Sequence, residues 1–378
     1  MTTSDHVAIV THEHLPGASH ILRDYLNKKG ILELSFIAHP LLYRDRGSYR
    51  QLFVRGRLNS QTSLHRSWAL PIVSYPIDII LTVLWLWRGT PKEWYIGVGP
   101  LNACAGLLLK AVGRVKNVVF YSIDFVPKRF QNRIVNALYH AMETYAVAHA
   151  DMCWDVSPRI REGRMQFLRV REYRRRIVPI GIERKYIASA RTRRRPYRLG
   201  FVGHLLEKQG VQLILEALPV ISRKFPKTEL LIIGGGEYKS VLECLALRLH
   251  IAKQVTFTDW VADQQKVARL LSTCVIGLAP YIPEGGTETN FTYWADPTKL
   301  KTYLAAGLPV ILTDVPYNAK ELEGKQCATI IPYTPEKLSK AVTQLFGDQH
   351  RLKTMSKHAL AFAKTVTWDS IFHKATTL

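Results

Sequence analysis

The stretch YRLGFVGHLLEKQGVQLILEALPVISRK, residues 197–224, indicates the fold of this chain. Residues 199–202 form a short apolar run that ends at Gly203, which is typical of a buried strand entering a tight loop. Residues 210–224 are predicted to form the helix that follows. Strand, glycine loop and helix in this order make the repeating unit of a doubly wound α/β sheet.

The same unit repeats on both sides of this stretch. Strands are predicted toward the carboxyl end at residues 230–233, 255–257, 275–278 and 310–312, and toward the amino end at residues 7–10, 31–37, 94–98, 117–121 and 152–156. Helices are predicted at residues 18–29 and 130–150. A chain of 378 residues is too long for one comfortable core. A basic passage between residues 159 and 198 therefore marks the predicted boundary between two domains with parallel sheets.

The charge of the chain predicts an anionic partner. The formal net charge is +22, while 47% of the residues are hydrophobic, so the protein is expected to be globular rather than disordered. Nucleic acid, an acidic membrane leaflet and a phosphorylated or lipid-diphosphate substrate all fit such a charge. The sequence has no helix-turn-helix, zinc-finger or aromatic-basic RNA signature, which makes it a poor reader of bases.

Five scattered cysteines show no C-x-x-C spacing. Cys153, Cys244 and Cys274 lie in apolar surroundings and are interpreted as reduced core thiols of a cytoplasmic protein without a structural metal. The start MTTSDHVAIVTHEH lacks the pattern of a signal peptide or an N-terminal anchor. Secretion is therefore not expected.

The most apolar stretch is residues 70–87. Two prolines and Asp78 interrupt it, so we do not expect a membrane span. It is either an amphipathic surface segment with Trp85 and Trp87 as interfacial anchors or a buried helix of the first domain, and we favour the buried helix.

Two runs have the form of an anion site. Gly203 to Gly210 joins a strand to a helix, so that backbone amides and Lys208 can meet one anionic group, although a solvated loop would have the same sequence. The run DPTKLKTYLAAGLPV, residues 296–310, begins a helix at Pro297, and a pyrophosphate could bind at its N-terminus. Ordinary helix–sheet packing explains Leu300 and the alanines of this run.

Together these runs resemble the C-terminal domain of retaining GT-B glycosyltransferases of the large family-four type. Residues 178–183, VPIGIE, are similar to the family's interdomain segment, residues 150–157 to the strand before it, and residues 368–371, WDSI, to its closing helix. The resemblance implies an α/β fold with two facing Rossmann-like domains. It places an acceptor-binding domain at residues 1–180, a donor-binding domain at residues 181–362 and a closing helix at residues 363–378.

The resemblance also implies an activity. The chain is expected to move a sugar from a UDP- or GDP-sugar to a lipid-linked or saccharide acceptor with retention of configuration, in cell-surface polysaccharide or glycolipid synthesis. No metal and no cofactor besides the nucleotide sugar are expected. The expected location is the cytoplasmic face of an anionic membrane, with peripheral attachment and no nucleic-acid partner.

Site residues are carried over by position. The implied catalytic residues are Lys208, His204 and Asp124. The implied donor-binding residues are Gly17, Gly203, Lys208, Trp260, Val261, Glu284, Glu288, Asp296, Thr298, Lys299, Leu300 and Thr302. Lys208 is favoured for the diphosphate contact, and Gln209 or Lys299 is the candidate if Lys208 fails. The amide of Gly203 is expected to help stabilise the leaving phosphate.

Several positions depart from the family pattern. His204 stands where an arginine is usual, Thr302 where the second glutamate of the donor loop is usual, and Ile123 where a histidine is frequent. Glu284, Glu288 or Asp296 would then supply the missing carboxylate. These departures leave open a protein that binds nucleotide sugar without turnover, and the charge leaves open a basic nucleic-acid-binding protein.

Three weaker candidates complete the prediction. Trp260 and Val261 lie where the resembling family seats its base, and burial of Trp260 in the core is the rival explanation. The triplet Gly234-Gly235-Gly236 is interpreted as a tight turn and not as a dinucleotide fingerprint. Three histidines lie near the first loop, and either at least one of them has a functional role or all three are solvated loop residues. These histidines are His12, His14 and His20.

Overall fold

The computed structural model describes residues 1–13, 17–40, 47–64, 71–188, 194–283 and 291–377, without the side chains of residues 71–73. The chain divides into two compact units. The first is Met1–Pro179 with Ile371–Leu378, and the second is Ile180–Ser370. Each unit contains its own sheet and its own apolar core.

The described part of the first unit contains an eight-stranded sheet in the order β4-β3-β2-β1-β5-β6-β7-β8. Its strands are β1 (His6–Thr11), β2 (Glu33–Ala38), β3 (Ser48–Val54), β4 (Arg57–Leu64), β5 (Lys92–Val98), β6 (Val115–Ser122), β7 (Met152–Asp155) and β8 (Arg175–Ile177). The six strands other than β3 and β4 run parallel, so their carboxyl ends lie at one edge.

The helices of this unit connect the parallel strands. They are α1 (Ala18–Lys28), α2 (Pro71–Trp87), α3 (Pro100–Ala111), α4 (Arg133–His149) and α5 (Arg159–Leu168). Asn132 caps α4 by accepting from the amides of Ile134 and Val135. The core between helices and sheet includes Val10, Ile37 and Tyr95.

Two features of this sheet were not expected from the sequence. The edge hairpin of β3 and β4 is antiparallel, so the sheet is mainly rather than wholly parallel. All eight residues of β4 are exposed, and such a strand lacks the apolar run that marks a buried one. The basic passage is also not a plain linker, because α5 and β8 lie within it.

The second unit contains a parallel sheet with the strand order β11-β10-β9-β12-β13-β14 among its described residues. The strands are β9 (Arg198–Val202), β10 (Glu229–Ile233), β11 (Val255–Phe257), β12 (Ile276–Ala279), β13 (Val310–Leu312) and β14 (Ala328–Ile330). The predicted strand–helix order is confirmed, and with it the α/β class, while β14 was not predicted. Order 10-9-12 places the switch point of the winding at β9, where open α/β sheets bind ligands.

The helices of the second unit pack on both faces of this sheet. They are α6 (Val211–Lys224), α7 (Lys239–Arg248), α8 (Gln264–Ser272), α9 (Phe291–Trp294), α10 (Thr298–Ala305), α11 (Ala319–Gly324), α12 (Pro335–Gly347), α13 (Gln349–Thr365) and α14 (Trp368–Thr376). Helix α14 begins in the second unit and ends among residues of the first. Gly181 fits closely against the Trp368 ring, where a Cβ would come within 2.6 Å.

The apolar stretch that ends at Trp87 is a helix, α2, that is buried on one side only. Asp78, Thr82 and Leu86 are buried, whereas Ile80, Leu84 and Trp87 are exposed, so the interpretation of a buried helix holds for the inner side alone. No described helix is both long enough and apolar enough to cross a bilayer.

All five cysteines are free thiols, and Cys153, Cys274 and Cys327 are buried. The prediction that Cys244 is a core thiol was wrong. It lies on the solvent side of α7, where only Leu242 and Ala246 are buried.

Candidate functional site

The loops after β9 and β10 form the floor of the candidate site in the second unit. Gly203 and Gly234 have φ angles of +144° and +142°, which side chains rarely adopt. The amide of Gly203 donates to the carbonyl of Ile233 at 3.0 Å, and the amide of Leu205 donates to the carbonyl of Gly235 at 2.9 Å. A Cβ on Gly234 would overlap the Gly203 carbonyl, so the close approach of the loops requires glycine.

The structure corrects two predictions for these loops. The amide of Gly203 already donates to Ile233 and is not free to bind a phosphate oxygen. The predicted tight turn at Gly234-Gly235-Gly236 is wrong in position, because Gly234 forms a bridge with Asp259 and the turn follows at Glu237 and Tyr238.

A cavity of about 230 Å³ lies above this floor, at the carboxyl ends of the strands. It brings together six of the residues predicted to bind the donor: Gly203, Trp260, Val261, Thr298, Lys299 and Thr302. Ile233, Gly234 and Gln264 also line it, and sequence reasoning did not assign them a role. The signal for Gly234 was present, since a glycine that ends a strand beside another glycine loop often marks close backbone approach.

Lys299 is the cation of this cavity. Its ammonium donates to Gln209 Oε1 at 2.6 Å and lies 4.1 Å from the Phe201 ring centroid and 4.8 Å from that of Tyr281. In the part of the chain that the structure describes, no carboxylate pairs with it. Burial lowers the pKa of Lys299 to about 7. A bound anion would favour the protonated form of Lys299, and no carboxylate among the described residues competes for that charge.

The first turn of helix α10 lies at the same cavity. Thr298 and Lys299, its first two residues, line the cavity, and the amides of a first helical turn have no acceptor inside their own helix. The positive end of the helix dipole adds to the field there. Thr302 lies one turn further on, where its hydroxyl donates to the Thr298 carbonyl at 3.1 Å.

Trp260 lies at the rim of the cavity and is 70% exposed. The alternative that it packs in the core is therefore wrong. A flat, exposed aromatic face beside an anion site can stack on a ring of a ligand. Val261, the next residue, packs against the apolar core of this unit from the cavity side.

Other residues predicted for this site lie outside the lining. The Lys208 ammonium is 4.0 Å from the ring centroid of Phe291, and burial lowers its pKa. His204 is exposed on the loop after Gly203. Leu300 is fully buried in the apolar core, so its side chain packs against the sheet.

Asp296 is buried away from the cavity. Its Oδ2 accepts from the amide of Ile180 at 2.8 Å, and its Oδ1 lies 3.5 Å from the Lys301 ammonium. Burial raises the pKa of Asp296 to about 6. These contacts tie the carboxylate to the start of the second unit and leave it no oxygen without a partner.

Glu284 and Glu288 lie outside the described residues, so their proposed contact with the donor sugar stays a prediction.

The first unit has a cavity of its own, of about 280 Å³, at the carboxyl ends of β1, β5 and β6. Asp124 and Ile123 line it together with Glu13. Asp124 Oδ1 accepts from Arg129 at 2.6 Å. Burial raises the pKa of Glu13, which also accepts from the amide of Ser19 at 3.0 Å. A Cβ on Gly17 would come within 2.7 Å of the Glu13 carboxylate, so a side chain there would require the Glu13 side chain to move.

His12 faces this cavity with both ring nitrogens engaged. The Asn102 side chain donates to Nδ1 at 2.9 Å, so Nε2 carries the proton and donates to Asp78 at 3.2 Å. His20 is buried, with Nε2 3.3 Å from the Tyr49 hydroxyl. Neither is the solvated loop histidine of the competing interpretation, and His14 lies outside the described residues. Among the described residues no three His, Cys, Asp or Glu side chains cluster as metal ligands would.

Residues 196–348 match the family described as Glycosyl transferases group 1. The second unit therefore contains a group 1 glycosyltransferase domain. The matched range of this group 1 domain contains all the residues that line the 230 Å³ cavity.

Curated relatives match a smaller part of the chain. A GDP-mannose-dependent alpha-(1-6)-phosphatidylinositol monomannoside mannosyltransferase of Mycolicibacterium smegmatis is 38% identical over 84 residues, which is 21% of this chain and 22% of the relative. The Mycobacterium tuberculosis protein of the same name is 37% identical over 84 residues. The match thus spans about a fifth of the length of these relatives.

Solved structures match nearly the whole chain at low identity. A sucrose-phosphate synthase from Thermosynechococcus elongatus has a TM-score of 0.72 at 14% identity and covers 98% of this chain and 97% of its own. HepE of Anabaena in complex with UDP has a TM-score of 0.70 at 12% identity, with 98% of both chains covered. WaaG, a glycosyltransferase involved in lipopolysaccharide biosynthesis, has a TM-score of 0.66 at 16% identity and covers 98% of both chains. The resemblance to GT-B glycosyltransferases around the group 1 domain is confirmed, and the chain has the GT-B fold.

Proposed function

We propose that the protein is a glycosyltransferase that moves a sugar from a nucleotide-sugar donor to an acceptor hydroxyl. The observation that carries the proposal is the 230 Å³ cavity, where Lys299, which no carboxylate among the described residues pairs with, and the first turn of α10 meet two glycine loops. Such an arrangement suits a diphosphate, because the backbone can approach closely and both positive groups address the same anion.

The chemistry follows from that placement. The bond between the anomeric carbon and the diphosphate oxygen breaks, and a bond from the acceptor oxygen to the same carbon forms. Negative charge develops on the leaving β-phosphate, where Lys299 and the amides of Thr298 and Lys299 stabilise it. With retention, the acceptor proton passes to an oxygen of the leaving phosphate on the same face. Trp260 stacks on the base of the donor.

The finer features of the proposal concern substrates. The donor is a UDP- or GDP-sugar, since the mycobacterial relatives carry GDP-mannose in their names and the HepE structure holds UDP. The acceptor is lipid-linked or a saccharide, in cell-surface polysaccharide or glycolipid synthesis, and the reaction retains the anomeric configuration without a metal. Lys208, His204 and Asp124 stay candidates for supporting roles, and Glu284 and Glu288 for the sugar contact.

The net charge of +22 supports a further element of the proposal, peripheral attachment to an anionic membrane at its cytoplasmic face. A lipid-linked acceptor would be met at that surface.

A donor screen tests the proposed function. Purified protein is incubated with a panel of UDP- and GDP-sugars and with lipid and saccharide acceptors, and release of nucleoside diphosphate is compared with formation of product. Acceptor-dependent release from one donor, strongly reduced in Lys299→Met, is the expected result. Absence of binding to any nucleotide sugar in a thermal-shift assay would overturn the assignment.

One observation supports a second candidate, a protein that binds nucleotide sugar without turnover. Thr302 lines the cavity where the family pattern has a carboxylate, and its hydroxyl is already bonded to Thr298. Thermal stabilisation by a donor, combined with no transfer to any acceptor, distinguishes this candidate. If Thr302→Glu then produced turnover, the lost carboxylate would be the cause.

A further inference from the structure

Helices α2, α3 and α4 form one layer on the first sheet, with α3 packed against both neighbours. We call it the outer helix layer. All three are crossovers that lead in the same direction along the sheet, from β4 through β5 and β6 to β7, which puts them on the same face. Its solvent side carries large apolar side chains that are 47–72% exposed: Ile80, Leu84, Trp87, Leu108, Val112, Ile134, Leu138 and Tyr145.

The helices of this layer bury their acidic side chains, whereas an ordinary surface helix exposes its charged residues to solvent. Asp78 in α2 and Glu143 in α4 are buried, and Glu143 pairs there with Arg164 at 2.9 Å. Lys110 in α3 pairs with Asp151. Within the described side chains of the three helices, no carboxylate is exposed. A helix layer that buries its acids and exposes its apolar residues lacks the solvated face of a free surface.

Cations border the apolar side chains at both ends of the layer. Arg88 and Lys116 are exposed beside the ends of α2 and α3, and Lys128 and Arg133 beside the start of α4. None of these four forms an ion pair within the part of the chain that the structure describes. Arg114 lies against Trp87, with its guanidinium carbon 5.9 Å from the ring centroid. The three helices thus present an apolar surface with cations at its border, where Asp124, the exposed acid before α4, is paired with Arg129.

We propose that the outer helix layer docks on an anionic lipid bilayer. Apolar side chains with tryptophan and tyrosine enter the region between headgroups and acyl chains, and the bordering cations contact anionic headgroups. A second copy of the chain fits less well, because a two-fold interface would bring the cationic borders of both copies together while the three helices expose no carboxylate among their described side chains.

The position of the layer connects it with the first-unit cavity. Tyr139 and Met142 of α4 line that cavity, and Phe130 lines it from the loop before the helix. A lipid-linked acceptor held in a bilayer under α4 would thus have its headgroup beside this cavity. The inference rests on the proposed peripheral attachment, and it assigns that attachment to a particular surface.

Flotation with vesicles tests the proposal. The full chain is mixed with phosphatidylcholine vesicles with and without phosphatidylglycerol, and the floated fraction is measured. The combined substitution Leu84→Gln, Ile134→Gln and Leu138→Gln should lower the partition coefficient on anionic vesicles at least about tenfold, since each removes an inserted apolar side chain. The matched control replaces three exposed apolar residues of the second unit, Val220→Gln, Val241→Gln and Leu247→Gln, and should float like the parent.

A second variant leaves the apolar side chains intact. Lys128→Gln with Arg133→Gln should lower flotation only where phosphatidylglycerol is present. The proposal is overturned if both test variants float like the parent. It is also overturned if light scattering shows that the parent is a dimer and that the variant with Leu84→Gln, Ile134→Gln and Leu138→Gln is a monomer. Thermal stabilisation of each variant by UDP or GDP is measured in parallel. Preserved stabilisation with unchanged flotation rejects the docking surface while the proposed donor site stands.

Discussion

At the scale of single residues, the charge state of Lys299 governs the donor cavity. Burial lowers its pKa from 10.5 to about 7, so a growing fraction of the side chain is neutral as the pH rises above 7. A bound diphosphate favours the charged form. Affinity for a UDP- or GDP-sugar should therefore fall above pH 7, approaching about tenfold per pH unit, while it stays level below pH 7.

Calorimetric titration of the protein with a nucleotide sugar at pH values between about 6 and 9 measures this dependence. A nucleotide sugar is suitable because its diphosphate keeps the same charge over this range. Lys299→Met should bind weakly at every pH with a flat profile. An unchanged slope in that variant would assign the proton to another group.

The roles of Lys299 and Lys208 can be separated by activity. Sequence reasoning favoured Lys208, but Lys299 lines the cavity and Lys208 does not. Lys299→Met should raise the transfer barrier by about 2–4 kcal/mol, as loss of one oxyanion donor does. Lys208→Ala should raise it by less. Steady-state kcat/KM of both variants decides, and the reverse order would restore Lys208 to the diphosphate.

Arg164 holds two buried carboxylates. It donates to Glu143 at 2.9 Å and to Asp155 at 2.8 Å, and all three side chains are buried. Arg164→Met should lower the free energy of unfolding of the first unit by about 3–5 kcal/mol, because it leaves uncompensated buried charge. Urea unfolding measures this. Arg161→Met, which removes an exposed pair with Glu172, is the control and should leave the transition in place.

At the scale of elements, the start of α6 depends on close backbone approach. Gly210 has a φ of +74°, and a Cβ there would overlap the carbonyl of Pro280 after β12. Gly210→Ala should destabilise the second unit by at least about 2 kcal/mol, from strain and overlap together. Gly113 has the same φ and no atom within 4 Å of its Cβ position, so Gly113→Ala measures the strain alone. Equal losses of stability in the two variants would show that the overlap with the Pro280 carbonyl adds nothing to the backbone strain.

At the scale of the whole molecule, each unit has its own core. A ligand stabilises what it binds, so a saturating nucleoside diphosphate at about 100 times its Kd should add about 2.7 kcal/mol to the second unit. Differential scanning calorimetry should therefore show two transitions of which only one moves with nucleotide. A single transition that moves as a whole would mean that the units unfold together.

The sequence alone predicted the order of the elements and the glycosyltransferase resemblance. Apolar periodicity, glycine and proline are local signals, and α6, β9, β10 and the start of α10 follow from them. The residue types of the anion site were likewise predictable from two local runs, the glycine loop after β9 and the start of α10, although these runs lie far apart in the chain.

Only the tertiary structure decided which side chains meet. The sequence does not distinguish Lys299 from Lys208, but packing beside Phe201 and Gln209 places the Lys299 side chain in the cavity. Arg164 lies in a basic passage whose composition resembles that of a linker. Its burial depends on the ion pair with Glu143, 21 positions away. The exposure of Leu138 and Trp87 was equally hidden, because an apolar side chain is buried only where another element covers it. Coverage is a property of packing between distant segments, and local periodicity does not carry that information.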